Sequence, residues 1–280
     1  MGAGIQIAPN CTKIFQKWNI LHRISEYTSE PKTIELRSYR GDLLSKTDMV
    51  PNMVQRFGAP YLVIHRADLL KVLLEEAKSL GTEIITNAPV HQVDFTTPLV
   101  RTADGLEFTA DVIICADGEN STCRRTMTGN KSGSSVPSGI LAYRFSLTSD
   151  TVLSRPALSH LAVPSKVTSW LGPRMHVVAY NLDARNTFNV VAGVPDSGHT
   201  EISTGPNSAS PGPLREFFQD WDPVLKELLQ LAGDCLLWKV MLHPDLAHLN
   251  WIQSSGKVLL IGDAAHAMPP HLYVQPCSLN

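Results

Sequence analysis

GKVLLIGDAAHAMPPHL, residues 256–272, sets an apolar run against a Gly-Asp pair and then a string of small residues. Val258 to Ile261 read as a buried strand. Gly262-Asp263 turns the chain, and Ala264 and Ala265 open a helix with Asp263 as its N-cap. Open α/β sheets bind ligands beyond the carboxyl ends of such strands. An aspartate at that point can accept hydrogen bonds from ligand hydroxyls. The small residues after it leave the free N–H groups of the helix start open to phosphate or electron-rich oxygen.

Working outward, DVIICADG (111–118) repeats the pattern of an apolar strand running into a turn, here Asp117-Gly118, with Ser121 and Arg124 beyond. Gly118 permits a tight turn or a positive φ. In IHRADLL (64–70), Arg66 stands where the strand YLVIH (61–65) gives way to a helix. That arginine reads either as a solvated side chain, with Asp68 capping the helix, or as a guanidinium set against a cofactor's phosphate or ring edge. The helix (66–81) carries an apolar face of Leu69, Leu70, Leu73, Leu74, Ala77 and Leu80 and stops at Gly81.

The remaining text supports an α/β architecture with a second, smaller sheet domain. A helix is expected over 10–18 and a hairpin from 33–39 to 43–48 around Arg40-Gly41-Asp42. Strands are expected at 83–86, 90–95, 99–103 and 106–110. Between Ser/Gly/Pro-rich loops at 129–139 and 203–213 lie GILAYRFSL, RMHVVAYNL and NTFNVVAGV, the last two joined at Asp183-Ala184-Arg185. Consecutive alternating strands of this kind form an antiparallel sheet that can cover a ligand on one face. Helical text returns at 213–233.

Composition narrows the function classes. The 280 residues are 43% apolar and 18% charged, with a net charge of −2 and no Lys/Arg run, which argues against nucleic acid or an anionic membrane as partner. No apolar run approaches the roughly 18 residues of a membrane span. The start lacks the regions of a signal peptide, and Gln6 stands where myristoylation needs Ser or Thr. Five widely spaced cysteines, never as C-x-x-C, argue against a disulfide framework or a metal site. They fit a reducing compartment, so a cytoplasmic protein is the default expectation.

In chain order, GAGIQIAPN (2–10), HRADL (65–69), ADGENSTCRR (116–125) and LLIGDAAHAMPP (259–270) resemble the single-component flavin-dependent aromatic hydroxylases. These are the para-hydroxybenzoate/salicylate hydroxylase-like monooxygenases, and the likeness is greatest to the fungal FAD-dependent monooxygenases of secondary metabolism. It spans nearly the whole chain. It implies a Rossmann-like, glutathione reductase-type FAD-binding domain over 1–130 and 235–280, and an inserted substrate domain over 131–234. By position, Asp263 resembles the aspartate that binds the FAD ribityl chain, and Arg66 the arginine that contacts FAD. Asp117 and Gly118 resemble the motif associated with FAD and NAD(P)H, and Gly4 the backbone position that passes close to the flavin. Arg144, in AYR, stands where these enzymes carry a catalytic arginine, and Tyr180, in VVAYNL, resembles the tyrosine paired with it.

Beside that likeness, an arginine amid LAY and FSL needs a partner or a cavity in its own right. Tyr180 reads equally as a half-buried strand aromatic. His266 is given no role, and the resemblance implies that Pro269-Pro270 fixes a rigid loop beside the flavin ring. The implied chemistry takes electrons from NAD(P)H through FAD to O₂ and hydroxylates or epoxidises a small aromatic or polyketide/terpenoid-type metabolite. The protein supplies placement, exclusion of water and charge stabilisation.

Two departures shape the expectation. No apolar strand leads into Gly2-Ala3-Gly4, and Ile7 stands where a third small residue would complete a dinucleotide loop. After HAMPPHL, Pro276 blocks the helix that should follow. The expectation is a domain without its first βαβ unit that binds FAD weakly or not at all. Two other readings stay open: a non-catalytic remnant or interaction partner of a full-length paralogue, and a flavin-dependent dehydrogenase or reductase.

Overall fold

The alternating strands of the middle sequence close into an eight-stranded mixed sheet. The computed structural model describes residues 4–129, 135–198, 205–242 and 250–267. Gly2, Ala3, Pro269, Pro270 and Pro276 lie outside the described residues.

The first segment forms β1 (Gly4–Ile7), α1 (Pro9–Lys17), α2 (Leu21–Ser25), β2 (Thr28–Ser29), β3 (Thr33–Ser38) and β4 (Leu43–Asp48). It continues with α3 (Asn52–Phe57), β5 (Leu62–His65) and α4 (Arg66–Ser79). Next come β6 (Val90–Asp94), β7 (Leu99–Thr102), β8 (Glu107–Thr109), β9 (Ile113–Cys115) and α5 (Thr122–Met127). The middle supplies β10 (Val136–Thr148), α6 (Ser149–Leu153), α7 (Ser159–Ala162), β11 (Lys166–Gly172), β12 (Met175–Leu182) and β13 (Thr187–Pro195). After it follow β14 (Asn207–Ala209), α8 (Pro211–Phe217), α9 (Pro223–Gln230), β15 (Cys235–Leu242), β16 (Val258–Leu260) and α10 (Asp263–His266).

The chain divides into two compact units, Met1–Thr82 with Gly139–Lys239, and Glu83–Ser138 with Val240–Asn280. In the first, the large sheet runs β14-β15-β10-β13-β12-β11-β3-β4. The β3–β4 hairpin joins it through a parallel pairing of β3 with β11, so the expected antiparallel insert is the centre of a wider mixed sheet. Gly41 turns that hairpin at φ +98°, and a Cβ there would press on the Asp222 carboxyl group at 2.8 Å. Glycine is therefore required twice over.

Strand alternation sorts the sheet's two faces. Phe145, Val190, Ala179 and Trp170 point into the main core, which also holds Leu214, Phe218, Leu225 and Leu228 of the α8–α9 region. Trp170 is fully buried and its indole N–H donates to Asp222 Oδ2 at 2.7 Å. The other oxygen of Asp222 caps α9 by accepting from Val224 N–H. On the opposite face, Tyr61 and Val63 pack with Val167, Tyr180 and Leu182. The strand β5 of a small antiparallel sheet, β1-β5-β2, thus packs on that face of the large one through Val63, beside Tyr61.

The second unit holds the meander β6-β7-β8 and the parallel pair β9–β16. Val93, Cys115, Cys123, Val258, Leu260 and Ala265 form its core among the described residues.

Four local expectations are corrected. Residues 83–86 form no strand: Ile84 and Ile85 are 37% and 48% exposed, and no described strand pairs with them. β-branched residues become a strand only where a neighbour takes their backbone hydrogen bonds. Asp263 is the first residue of α10, not its cap, which is Gly262. Asp68 does not cap α4; His65 does, accepting from Ala67 N–H, while Asp68 is buried against Arg185. The buried line of α4 runs through Asp68 and Val72, with Leu70 and Leu80 exposed, because that ion pair draws a polar position inward.

Candidate functional site

Four of the residues singled out by sequence meet in the first unit. β1 and β5 pair with Gly4 opposite His65, so Gly4 lies beside the residue that leads into Arg66 at the start of α4. Across from it stands Tyr180 of β12. A Cβ on Gly4 would fall 2.7 Å from the Tyr180 hydroxyl oxygen and 2.8 Å from a ring carbon. On the same sheet face, Tyr180 is opposite Asn189, which is opposite Ser146, two residues along β10 from Arg144.

The electrostatics of this face are one-sided. Among the described residues, neither Arg66 nor Arg144 has a carboxylate partner. Burial lowers the Arg144 pKa first, and the like charge of Arg66 lowers it further. The Arg144 Nε is buried with no hydrogen-bond partner, and its guanidinium lies 5.2 Å from the centre of the Trp238 ring. Tyr180 is 4% exposed, and burial pushes its hydroxyl up to about 12 against the opposing pull of Arg144 and Arg66. The phenol is therefore neutral at physiological pH and feels the charge of both arginines.

Sequence reasoning passed over two residues here. Asn189 is fully buried, and both of its amide atoms lack a partner. The parity of NTFNVVAGV, which puts Asn189 out of step with Phe188 and Val190, was the available signal. His176 shares the face of Arg144 and Tyr180, and its ring occupies the space that a side chain on Gly193 would need.

The second unit holds the other three. The Asp117 carboxylate accepts from Ser121 Oγ at 2.5 Å and from Cys123 N–H at 3.0 Å. Burial pushes its pKa up, but these hydrogen bonds outweigh burial and hold it below the ordinary carboxylate value. Its oxygens thus brace the turn. Gly118 sits at φ +78° with nothing near its Cβ position, so conformation, not crowding, calls for glycine. Asp263 is exposed at the first turn of α10, after Gly262 at φ +57°.

Arg124 ties the two motifs together. It is 3% exposed, and its guanidinium donates to the carbonyls of Ala264 at 2.8 Å, Asp263 at 3.3 Å and Glu119 at 2.6 Å. The sequence showed this arginine without a task; the carbonyls that give it one are 139 and 140 positions away.

The fold is that of the flavoprotein hydroxylases. CtdE in complex with FAD and substrate 4 superposes with a TM-score of 0.81 at 19% identity, over 98% of this chain and 68% of that one. A salicylate hydroxylase substrate complex superposes with a TM-score of 0.75 at 25% identity, over 96% and 67%. In sequence, the chain is 30% identical over 275 residues to the FAD-dependent monooxygenase OpS4 of Beauveria bassiana, across 97% of this chain and 64% of that protein. It is 32% identical over 277 residues to the 3-amino-4-hydroxybenzoate 2-monooxygenase PtnB3 of Streptomyces platensis, across 97% and 65%. No protein-family model matches. Homologues of the chain are thus FAD-dependent monooxygenases, which are oxidoreductases, and it spans just under two thirds of the length of these two.

Proposed function

We propose that this chain carries the substrate face and part of the flavin-binding machinery of an FAD-dependent monooxygenase. Its reaction uses NAD(P)H and O₂ to hydroxylate or epoxidise a small aromatic or polyketide/terpenoid-type metabolite. One observation carries the reading: Arg66 and Arg144, with no acidic partner among the described residues, both act on the buried neutral phenol of Tyr180, which lies beside a glycine that admits no side chain. A cationic, half-buried face suits an electron-rich ring bearing an ionisable oxygen.

The residues present fit FAD. Arg66, exposed at a strand-to-helix junction and without an ion pair among the described residues, offers a guanidinium to a phosphate or ring edge. Gly4 is buried with the Tyr180 ring where a side chain would begin, so its backbone lies directly against that ring. In the second unit, Asp263 at the start of a helix can accept from ligand hydroxyls, and Asp117 and Gly118 shape the loop after β9. Bound FAD would supply electron transfer from NAD(P)H and activation of O₂.

The chain's own residues would do the rest. Arg144 stabilises negative charge on the substrate oxygen, and its orphaned Nε has a bond to give. Tyr180 donates its hydroxyl proton in a hydrogen bond and, being buried, stays protonated while doing so. Trp238 sets its ring against Arg144, 5.2 Å from the guanidinium. β1 and β5, paired with each other, set Gly4 and Val63 against the Tyr180 side of the face.

The test is turnover of a panel of phenols with NAD(P)H under isotopically labelled dioxygen. A product carrying one labelled oxygen supports the monooxygenase. NAD(P)H oxidation with an unlabelled product favours the dehydrogenase reading, and no flavin uptake and no turnover favours the remnant. Arg144→Ala should lower kcat/KM by about 100-fold or more, since it removes a charge-stabilising donor. Among the described residues no helix is long and apolar enough to cross a membrane.

A further inference from the structure

The large sheet carries a cavity on the face turned away from Arg144 and Tyr180. It measures about 660 Å³ and opens between the sheet and α8. Leu141 and Tyr143 of β10 and Leu237 of β15 form its floor, and Pro213, Glu216 and Phe217 of α8 stand opposite. β14 lines a further side. The volume falls in the roughly 300–1,000 Å³ range of small-ligand sites.

Strand alternation separates this cavity from the substrate face. Tyr143 and Arg144 are consecutive in β10 and face opposite ways, as do Leu237 and Trp238 in β15. The floor is thus the reverse of the strand segments that present the Arg144 guanidinium and the Trp238 ring.

Tyr143 distinguishes the cavity from a gap in packing. It is 4% exposed, and its hydroxyl makes no hydrogen bond among the described residues. A buried phenol ordinarily finds a partner for its O–H. That oxygen is not one of the sealed polar atoms of the fold, which leaves the cavity its ring lines as its outlet. Burial raises the pKa of the phenol, so it stays protonated and able to donate at neutral pH. Glu216, exposed at the rim, is the one charged side chain among the described lining residues. Its carboxylate disfavours an anion, and nothing cationic lines the cavity to offset it.

We propose that this cavity is a second binding site, for a neutral aromatic molecule with a carbonyl or similar acceptor oxygen. The oxygen accepts from the Tyr143 hydroxyl, which sets the orientation, while the ring lies on Leu141, Leu237 and Phe217, whose burial supplies the affinity. The ligand differs in charge from the one suited to the Arg144 face, where a cation meets an ionisable oxygen. This inference does not depend on the monooxygenase reading, since it concerns binding alone.

The probe is prodan, a neutral naphthalene ketone whose emission moves to the blue on leaving water. Titrated with the full chain, it should fill a saturable site that is retained in Arg144→Ala. Tyr143→Phe, which removes one neutral hydrogen bond, should weaken that site by about 2- to 10-fold. Naphthalene sulfonate, an aromatic anion, should displace prodan poorly from the wild type and more readily from Glu216→Lys. Absence of a saturable site, loss of the site in Arg144→Ala, or equal affinity in wild type and Tyr143→Phe overturns the proposal. So does equal displacement by the anion from wild type and Glu216→Lys. Should Tyr143→Phe not fold, the exposed Glu216→Lys change and Arg144→Ala decide between them.

Discussion

Gly4 has no room for a side chain, because the Tyr180 ring fills the space where one would begin. Gly4→Ala must push a buried aromatic aside, at a cost of about 1–3 kcal/mol, read as a lowered thermal midpoint. Tyr180 itself predicts a pH dependence. Its hydroxyl titrates near 10 when unfolded and near 12 in the fold, so the unfolded chain releases its proton first as pH rises. The stability this contributes is intact below pH 10 and is lost between 10 and 12, by about 2–3 kcal/mol. Tyr180→Phe should flatten that alkaline limb in denaturant titrations, and an unchanged limb would contradict the buried neutral phenol. Arg66 and Arg144 stood out by their place in the local pattern, whereas Gly4 and Tyr180 were singled out by the resemblance to the flavin-dependent hydroxylases. The meeting of the four was not legible, since it depends on which face of β12 turns toward β1. Asn189 went unnoticed because an amide in an apolar strand gives no chemical signature until its lack of partners is visible.

Elements were legible where their own sequence closes their hydrogen bonds. The β3–β4 and β12–β13 connections and the helices α1, α4, α8 and α9 follow from local turn residues and spacing. Residues 83–86 failed because a strand needs a neighbour, and α4 turned a polar position inward for a partner far along the chain. That partner, Arg185, holds Asp68 in a two-pronged ion pair at 2.5 and 2.6 Å. The Arg185 hydrogen bond keeps the Asp68 pKa below its ordinary value despite burial. Its contribution is therefore present above about pH 4 and is lost as pH falls through the lowered value. Arg185→Ala leaves a buried carboxylate unpaired and should cost about 1–3 kcal/mol at neutral pH, with the difference from wild type shrinking in acid. In the second unit the corresponding tie is Arg124. Arg124→Lys keeps the charge but cannot reach three carbonyls with one fork, so a loss of about 2 kcal/mol in stability is expected. An unchanged unfolding profile would show that the α5–α10 connection is held by packing alone.

At the scale of the molecule, the two units differ in how completely their sheets are enclosed. In the first unit, β12 is flanked by β11 and β13, with the main core on one face and the Tyr61–Tyr180 cluster on the other. In the second, β9 and β16 have only each other as ladder partners among the described strands, and Ile114 is 59% exposed. Opening free energy follows burial and hydrogen-bond enclosure. Amides of Val177 to Tyr180 should therefore exchange with solvent only on global unfolding, and those of Ile113 to Cys115 through smaller, earlier openings. Hydrogen exchange followed by mass spectrometry reads both in one experiment, and adding FAD turns it into a test of the proposed contacts. If Gly4 and Arg66 touch the cofactor, exchange slows in β1 and at the start of α4. If Asp117, Gly118 and Asp263 touch it, exchange slows as well in residues 117–124 and 262–266, since a ligand that binds only the closed form suppresses opening by mass action. Slowing confined to the first unit would remove Asp117, Gly118 and Asp263 from the cofactor site and leave their loop with the structural work that Arg124 and Ser121 already describe.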